Sequence, residues 1–359
     1  MRVLTCVLCS AAMLTNGCVA IVIPAIAAGT IGGKQIFDKK DDAPEAPEVA
    51  KKPKAPKPPK PGKVKAVGTV SALPEPVAPP PPPAVPSSMQ YLYGSGEAAA
   101  LSTQSYSALV RYLRFTSQMS GDRVTEDVLG SVTLTAQATL AAPTFGTCGK
   151  KKHAVVLDID ETSLLNLGFE ADESQHTGPY DPARWERWEA TGANAVAAVP
   201  GALAAITEAR KLGITVVFNS NRSTAQAQAT VEALDHAGLG PAVLGDTLWL
   251  RDGPSGKDAR RAAISEKYCV IAMVGDQLGD FSDLFDAPGQ TLAQRRALAI
   301  SPQIAELWGQ GWFLLPNPVY GAGARGTVDE VFPADKRWTD PGAVSPGGYL
   351  PADTPPSDK

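Results

Sequence analysis

Three short apolar runs, at 153–157, 214–219 and 269–274, divide the second half of this chain into a repeating pattern. Segments with helical spacing lie at 201–212, 224–238 and 257–266, with a briefer apolar stretch at 248–250. Runs of this length and character are found in buried parallel strands. Strands that alternate with helices form a parallel sheet covered on both faces, because each strand needs a crossover to return in the same direction. The expected core is therefore α/β, a parallel sheet flanked by helices. Residues 98–118 add an amphipathic helix with Tyr106, Leu109, Val110 and Leu113 on one side.

A chain of 359 residues has room for one large domain or two ordinary ones, and 44% hydrophobic residues suffice for a core. Its 32 prolines and 33 glycines are unevenly spread, so the folded part is shorter than the chain. Residues 34–88 read as a disordered linker rich in Lys, Pro and Ala, including KKPKAPKPPKPGK and PEPVAPPPPPAVP. Nothing there can bury a face, and proline stiffens it into a spacer. The net charge of −4 gives no sign of a nucleic-acid polymer as partner.

Residues 1–33 read as an export leader: Arg2, then an uncharged run from Val3 to Gly33, ended by Lys34. Leu14-Thr15-Asn16-Gly17-Cys18 resembles a lipoprotein processing box, in which Cys18 would be lipidated. An uncleaved membrane helix and simple secretion are the alternatives. Lys34, Lys39 and Lys40 after the run disfavour the uncleaved helix. All three place the folded domain outside the cytoplasm, and the first two tether it to a membrane. Beyond the leader only Cys148 and Cys269 remain. Neighbouring strands would bring them to the same end of the sheet, so they are a candidate disulfide in an oxidising compartment. The alternative is two independent residues.

Four motifs sit at the strand ends. Asp158-Ile159-Asp160-Glu161-Thr162 puts aspartates two apart after a buried strand, which is costly unless a cation such as Mg²⁺ offsets their repulsion. A carboxylate is also a nucleophile toward phosphorus. In Asn219-Ser220-Asn221-Arg222, Ser220 suits a phosphate oxygen, with helix-opening amides expected behind it. Lys257, at a helix start, could neutralise phosphate and aspartate, though a single lysine is more often solvated. In Gly275-Asp276-Gln277-Leu278-Gly279-Asp280, glycine allows a tight turn that exposes Asp276, with Asp280 near enough to support it. Between 161 and 200 a long, aromatic-bearing insertion follows the first strand's carboxyl end, where open α/β sheets bind ligands; a cap explains it.

Together these motifs resemble the haloacid dehalogenase superfamily and, within it, the class C acid phosphatases of the bacterial lipoprotein e family. The resemblance covers about residues 91–321 and includes SGEAAALSTQSYSAL, the Asp158-Ile-Asp160-Glu-Thr162 start, AVPGA, Ser220-Asn221-Arg222, Lys257, Gly275-Asp276 with Asp280, and LLPNPVYG at 314–321. It implies a HAD-like domain over 89–321, with N-terminal helices over about 96–147 and a smaller, mostly helical cap over about 166–199. An irregular tail follows at 322–359.

The same resemblance implies that Asp158 is the nucleophile and Asp160 the general acid and base. Asp158, Asp276 and the Asp160 backbone carbonyl would hold Mg²⁺, with Asp280 behind them, while Ser220 and Lys257 would hold the phosphoryl group. Tyr320 is the candidate for the leaving-group or base pocket. Trp185 and Trp188 of the cap are further candidates that read equally well as packing. Substrates would be phosphomonoesters and nucleoside 5′-monophosphates, and the assembly a homodimer. Where relatives often carry an acidic residue before asparagine, this chain has Leu165-Asn166, and Gln277 and Gly279 also depart from the pattern. The alternative functions are phosphotransfer between alcohols and a non-catalytic surface or storage protein.

Overall fold

The computed structural model describes residues 84–121, 130–176 and 178–340. The leader with Cys18 and most of the linker lie outside the described residues, as does the tail from 341 onward. No helix among the described residues is long and apolar enough to cross a membrane.

The strands are β1 His153–Leu157, β2 Leu164–Leu165, β3 Ala197–Ala198, β4 Thr215–Ser223, β5 Leu248–Arg251, β6 Cys269–Gly275 and β7 Trp312–Leu314. The helices are α1 Ser87–Gly94, α2 Gly96–Gly121, α3 Leu167–Glu173, α4 Pro182–Thr191, α5 Ala202–Lys211, α6 Ala227–His236, α7 Asp258–Lys267, α8 Leu292–Ala299, α9 Pro302–Ala305 and α10 Val328–Val331. Five strands form one sheet in the order β5-β4-β1-β6-β7, every neighbouring pair parallel. The chain leaves β1 in one direction to build β4 and β5, then returns to its other side for β6 and β7. The carboxyl end of β1 is thus the switch point where such sheets open a crevice.

Both faces of the sheet are buried, as its apolar runs require. Val155, Leu157, Val216 and Phe218 pack on one side with Tyr106, Leu109 and Leu113 of α2 and Ala205 and Ile206 of α5. Ala154, Val156, Val217 and Met273 point to the other side, against Ile264 of α7 and Phe281, Phe285 and Trp312. Alternate residues of one strand thereby feed two cores. Gly201, at φ 95°, opens α5 close beneath Tyr106, where a Cβ would stand 2.8 Å from the Tyr106 Cβ.

The cap is β2 and β3, paired antiparallel, with α3 and α4 between them. Phe169 and Trp185 meet edge to face at 4.9 Å, and Trp188 lies 6.1 Å from Phe169. This is the smaller, mostly helical cap expected over an α/β core.

Three expectations need correction. The N-terminal helices do not extend to residue 147: α2 ends at Gly121, and 130–147 is irregular, with an isolated bridge between Leu134 and Phe145. The sequence SVTLTAQATLAAPTF explains this, because β-branched residues and Pro143 disfavour a helical stripe. α1 begins inside the expected linker, since Ser87 and Ser88 already belong to it. The tail is not wholly irregular, because Thr327 caps α10 through a reciprocal bond pair with Glu330.

Candidate active site

Asp158 is the first residue beyond β1, and its N–H donates to the Val274 carbonyl of β6 at 3.0 Å. A tight loop follows, closed by the Ser163 hydroxyl donating to the Asp158 carbonyl at 2.6 Å. Within it Glu161 has φ 53°, the one positive value among described non-glycine residues. That backbone lets Asp158 and Asp160 both face the crevice.

Lys257 stands at the start of α7 and reaches inward. Its Nζ donates to Asp158 Oδ1 at 2.5 Å and to Asp280 Oδ1 at 2.6 Å. Burial would lower its pKa, but the two carboxylates outweigh this and raise it, so it stays charged. The Asp158 pKa is raised as well, which for an acid favours the neutral form. Burial raises its carboxyl well above the usual range, against the pull of Lys257, and Asp280, Asp276 and Asp160 add to the rise. One ammonium is therefore too little for the carboxylates crowded around it. Asp158 Oδ2 has no hydrogen-bond donor among the described residues.

Gly275 ends β6, and a Cβ there would stand 2.3 Å from the Asp280 Cβ, so only glycine lets Asp280 fold back. Asp280 Oδ2 accepts from the N–H groups of Asp276 (3.1 Å) and Gln277 (2.8 Å). Asp276 is held in turn by the Thr162 hydroxyl at 2.7 Å, by Asn317 Nδ2 at 2.8 Å and by Gln277 Nε2 at 3.2 Å. Burial, and then Asp280, raise Asp276 to about 7.

Oxygen atoms of Asp158, Asp276 and Asp280 lie within 4.8 Å of one another. Three carboxylates and the Lys257 ammonium leave two negative charges, and an all-oxygen donor set of that charge fits a divalent hard cation such as Mg²⁺. Asp280 has both oxygens engaged, one by Lys257 and the other by backbone, which suits it to support rather than to ligation.

Asp160 faces the cap side. Arg222 donates to Asp160 Oδ1 through Nε (2.9 Å) and Nη2 (2.8 Å), and Asn166 Nδ2 donates to the same oxygen at 3.0 Å. The Ser220 hydroxyl lies 3.4 Å from Asp160 Oδ2. Ser220 is not a strand-ending residue, however. β4 runs on to Ser223, so the helix amides expected directly behind Ser220 are displaced, and its Oγ accepts the Arg222 N–H at 3.1 Å.

Glu161 joins four parts of the chain. Its Oε1 accepts from the Tyr93 hydroxyl of α1 at 3.1 Å and the Asn166 N–H at 3.0 Å, and its Oε2 accepts from the Tyr320 hydroxyl. Burial, and next Asp160, push Glu161 up to about 8, while Tyr320 and Asn166 oppose the rise. Tyr320 therefore turns its hydroxyl toward the acidic loop. Trp185 Nε1 donates to Glu189 at 2.6 Å and Trp188 Nε1 to Asn166 Oδ1 at 3.1 Å, so both rings are built into the cap. Cys148 and Cys269 are joined by a disulfide beside the first residue pair of β1 and β6.

Glu161, Thr162, Arg222 and Asn317 lie inside the sequence motifs and Asn166 at a departure from them, with no role legible there. Asn166 proves central: its Oδ1 also accepts Arg222 Nη2 at 2.8 Å. The available signal was a polar residue directly following Leu164-Leu165.

Comparison with known proteins identifies the family. The family described as HAD superfamily, subfamily IIIB (acid phosphatase) matches residues 106–323, more than half of the chain. Acid phosphatase 1 of Solanum lycopersicum is 28% identical over 173 residues, covering 46% of this chain and 57% of that protein. Vegetative storage protein 2 of Arabidopsis thaliana is 26% identical over 176 residues, covering 46% and 55%. The chain thus spans about half the length of these curated relatives. The class C acid phosphatase structure from Bacillus anthracis superposes with a TM-score of 0.51 at 27% identity, over 66% of this chain and 85% of that one. A tungstate-bound structure of that enzyme gives 0.51 at 25%, with the same coverage. Motifs, sheet order and family match converge, and the chain belongs to the HAD superfamily, in its subfamily IIIB of class C acid phosphatases.

Proposed function

We propose that this protein is a Mg²⁺-dependent phosphomonoester hydrolase working through an aspartyl-phosphate. The carrying observation is the Lys257 ammonium bound to one oxygen of Asp158 while the other oxygen is left without a donor. Asp158 Oδ2 attacks phosphorus, and the bond to the leaving alcohol breaks. Asp160 gives that alkoxide its proton. Asp160 then takes a proton from water, whose oxygen attacks the aspartyl-phosphate, breaks its P–O bond and returns Asp158 with free phosphate.

Asp158, Asp276 and the Asp160 carbonyl are the residues that would hold Mg²⁺. When bound, the metal neutralises charge on the phosphoryl oxygens and on the nucleophile. Lys257 and Ser220 orient the phosphoryl group, and Lys257 lets an anionic nucleophile approach an anionic ester. Arg222 and Asn166 orient Asp160.

Nucleoside 5′-monophosphates are the proposed substrates, with Tyr320 and the cap tryptophans as the elements nearest a base. The proposed setting is extracytoplasmic, with a lipid on Cys18 or an N-terminal helix as tether, as in lipoprotein e relatives. The domain limits proposed are 89–321 after leader and linker, and a homodimer is the proposed assembly. A substrate panel of 5′-AMP, 5′-NMN and p-nitrophenyl phosphate tests the specificity. Turnover of the two nucleotides at equal or higher kcat/KM than the nitrophenyl ester supports a nucleotide pocket; turnover of the ester alone contradicts it. Added alcohols that capture phosphate in place of water would identify a phosphotransferase instead.

A further inference from the structure

Arg251 and Arg260 flank this site in a way the phosphatase reading leaves unused. Arg251 ends β5, and Arg260 lies in the first turn of α7, three residues after Lys257. Both hold the same residue. Arg251 Nε donates to the Asn221 carbonyl at 3.0 Å, and Arg260 Nη2 donates to Asn221 Oδ1 at 2.6 Å, with Arg260 Nε on Asn219 Oδ1 at 2.7 Å. Asn221 is the exposed residue of β4 between Ser220 and Arg222. The two guanidinium groups are therefore within one residue's reach of each other, at Asn221, which directly follows Ser220 in β4.

Their partners are neutral. Arg222 and Arg261, on the same two elements as Asn221 and Arg260, are each paired with a carboxylate. Among the described residues Arg251 and Arg260 have no ion-pair partner. An arginine carries five N–H donors. Arg260 keeps Nη1, and Arg251 keeps both terminal nitrogens, without a protein acceptor among the described residues. The asparagine oxygens fix the two forks in place while leaving their charge uncancelled, which aspartates there would not. Both arginines are half-buried, so each has lost part of its hydration without a counter-charge. Burial, and next Arg261, hold the Arg260 pKa down, with Arg251 adding to the effect, while Asp158 and Asp283 act against it.

Arg251 pairs in register with Ser223, whose N–H donates to Glu189 of the cap, and Ser220 and Arg222, on either side of Asn221, both reach Asp160. An extended substrate whose reacting group lies at Asp158 and Asp160 would thus have its far end over the arginines.

We propose that Arg251 and Arg260 form a second anion subsite that takes the second phosphate of a small bisphosphorylated substrate, while Ser220 and Lys257 hold the phosphoryl group being transferred. Guanidinium forks match phosphate oxygens two at a time, which a lysine pair would not. The subsite rests on the phosphatase reading for its substrate class, but its occupancy is measurable without turnover.

The test is calorimetric binding to full-length, Mg²⁺-supplied Asp158→Asn protein, with and without Arg251→Gln, and separately with Arg260→Gln. The probes are two pairs: fructose 1,6-bisphosphate against fructose 6-phosphate, and adenosine 3′,5′-bisphosphate against 5′-AMP. The expected result is at least tenfold tighter binding of the bisphosphate in one pair, reduced to within about twofold by either arginine substitution. Equal affinities within both pairs, or an equal loss for both members of each pair, would overturn the proposal; the second pattern would mean that the arginines only prop the Ser220 strand. Hydrolysis of p-nitrophenyl phosphate by the wild type reports separately on the phosphatase reading.

Discussion

Arg222 grips Asp160 through Nε and Nη2 at 2.9 and 2.8 Å, and it is among the most deeply buried charged side chains in the structure. Both donors converge on Asp160 Oδ1 and hold that oxygen in place, and a lysine cannot reproduce two donors fixed in one plane. Arg222→Lys should therefore lower kcat by about tenfold or more while KM changes less than about threefold, the pattern of a lost transition-state contact. Wild-type kcat in this variant would show that Asp160 needs no such positioning. Arg222→Ala leaves a buried carboxylate unpaired and should cost about 3–5 kcal/mol in urea denaturation.

Asn166 links Asp160, Glu161, Arg222 and Trp188. Trp188→Phe removes one donor to an oxygen that Arg222 still satisfies, so it should cost only about 0.5–1.5 kcal/mol. Asn166→Asp puts a carboxylate between Asp160 and Glu161. It should be less stable than Asn166→Ala at pH 7.5 and regain most of that difference at pH 5, where the new acid can be protonated. Equal stabilities of the two variants at pH 7.5 would contradict the crowding of negative charge.

Glu161 at about 8, Glu170 at about 7 and Asp276 at about 7 are all raised first by burial, with neighbouring carboxylates next. Each binds its proton more tightly folded than unfolded. The stability this gives is complete below the unfolded carboxylate range near pH 4 and is lost as pH rises through about 7 to 8. Metal-free protein in EDTA should thus melt at progressively lower temperature from pH 5 to pH 8. Mg²⁺ should raise Tm more at pH 8 than at pH 5, because it binds the ionised carboxylates. A Tm that climbs with pH in EDTA would contradict the assignment.

The Cys148–Cys269 bond joins residues 121 apart and staples the segment leading into β1 to the first residue of β6. Closing a loop of that size restricts the unfolded chain, and typical bridges contribute about 2–4 kcal/mol. Cys148→Ser with Cys269→Ser should lower denaturant stability by about that amount, and reductant should affect the wild type but not the variant. Thiol titration under denaturing, non-reducing conditions should find neither cysteine free.

The sheet was legible because β1, β4 and β6 are apolar on both faces, so their runs stand out without alternation. β7 was not: Trp312-Phe313-Leu314 is only three residues, and its pairing with β6 is a long-range choice. The main acidic and basic groups were legible from Asp158, Lys257 and Asp276 at strand ends. The network around Asp160 was not, because Asn166 and Arg222 meet only when the cap folds back 56 residues along the chain. The continuation of β4 past Ser220 was equally hidden, since polar Asn219 to Ser223 look like a loop until β5 pairs beside them. Asn317 gained its task only when β7 brought the tail beside Asp276.

The central claim is that Asp158, freed on one oxygen and held by Lys257 on the other, is a metal-assisted nucleophile toward phosphorus. The direct measurement is phosphate release from p-nitrophenyl phosphate and 5′-AMP between pH 4.5 and 8, with Mg²⁺ or EDTA, for wild type and Asp158→Asn. The account predicts turnover by the wild type with Mg²⁺, its loss in EDTA, and a drop of at least about a thousandfold in the folded variant, the scale expected when a covalent nucleophile is removed. Turnover by Asp158→Asn close to wild type, or no turnover by folded, metal-supplied wild type, would contradict it.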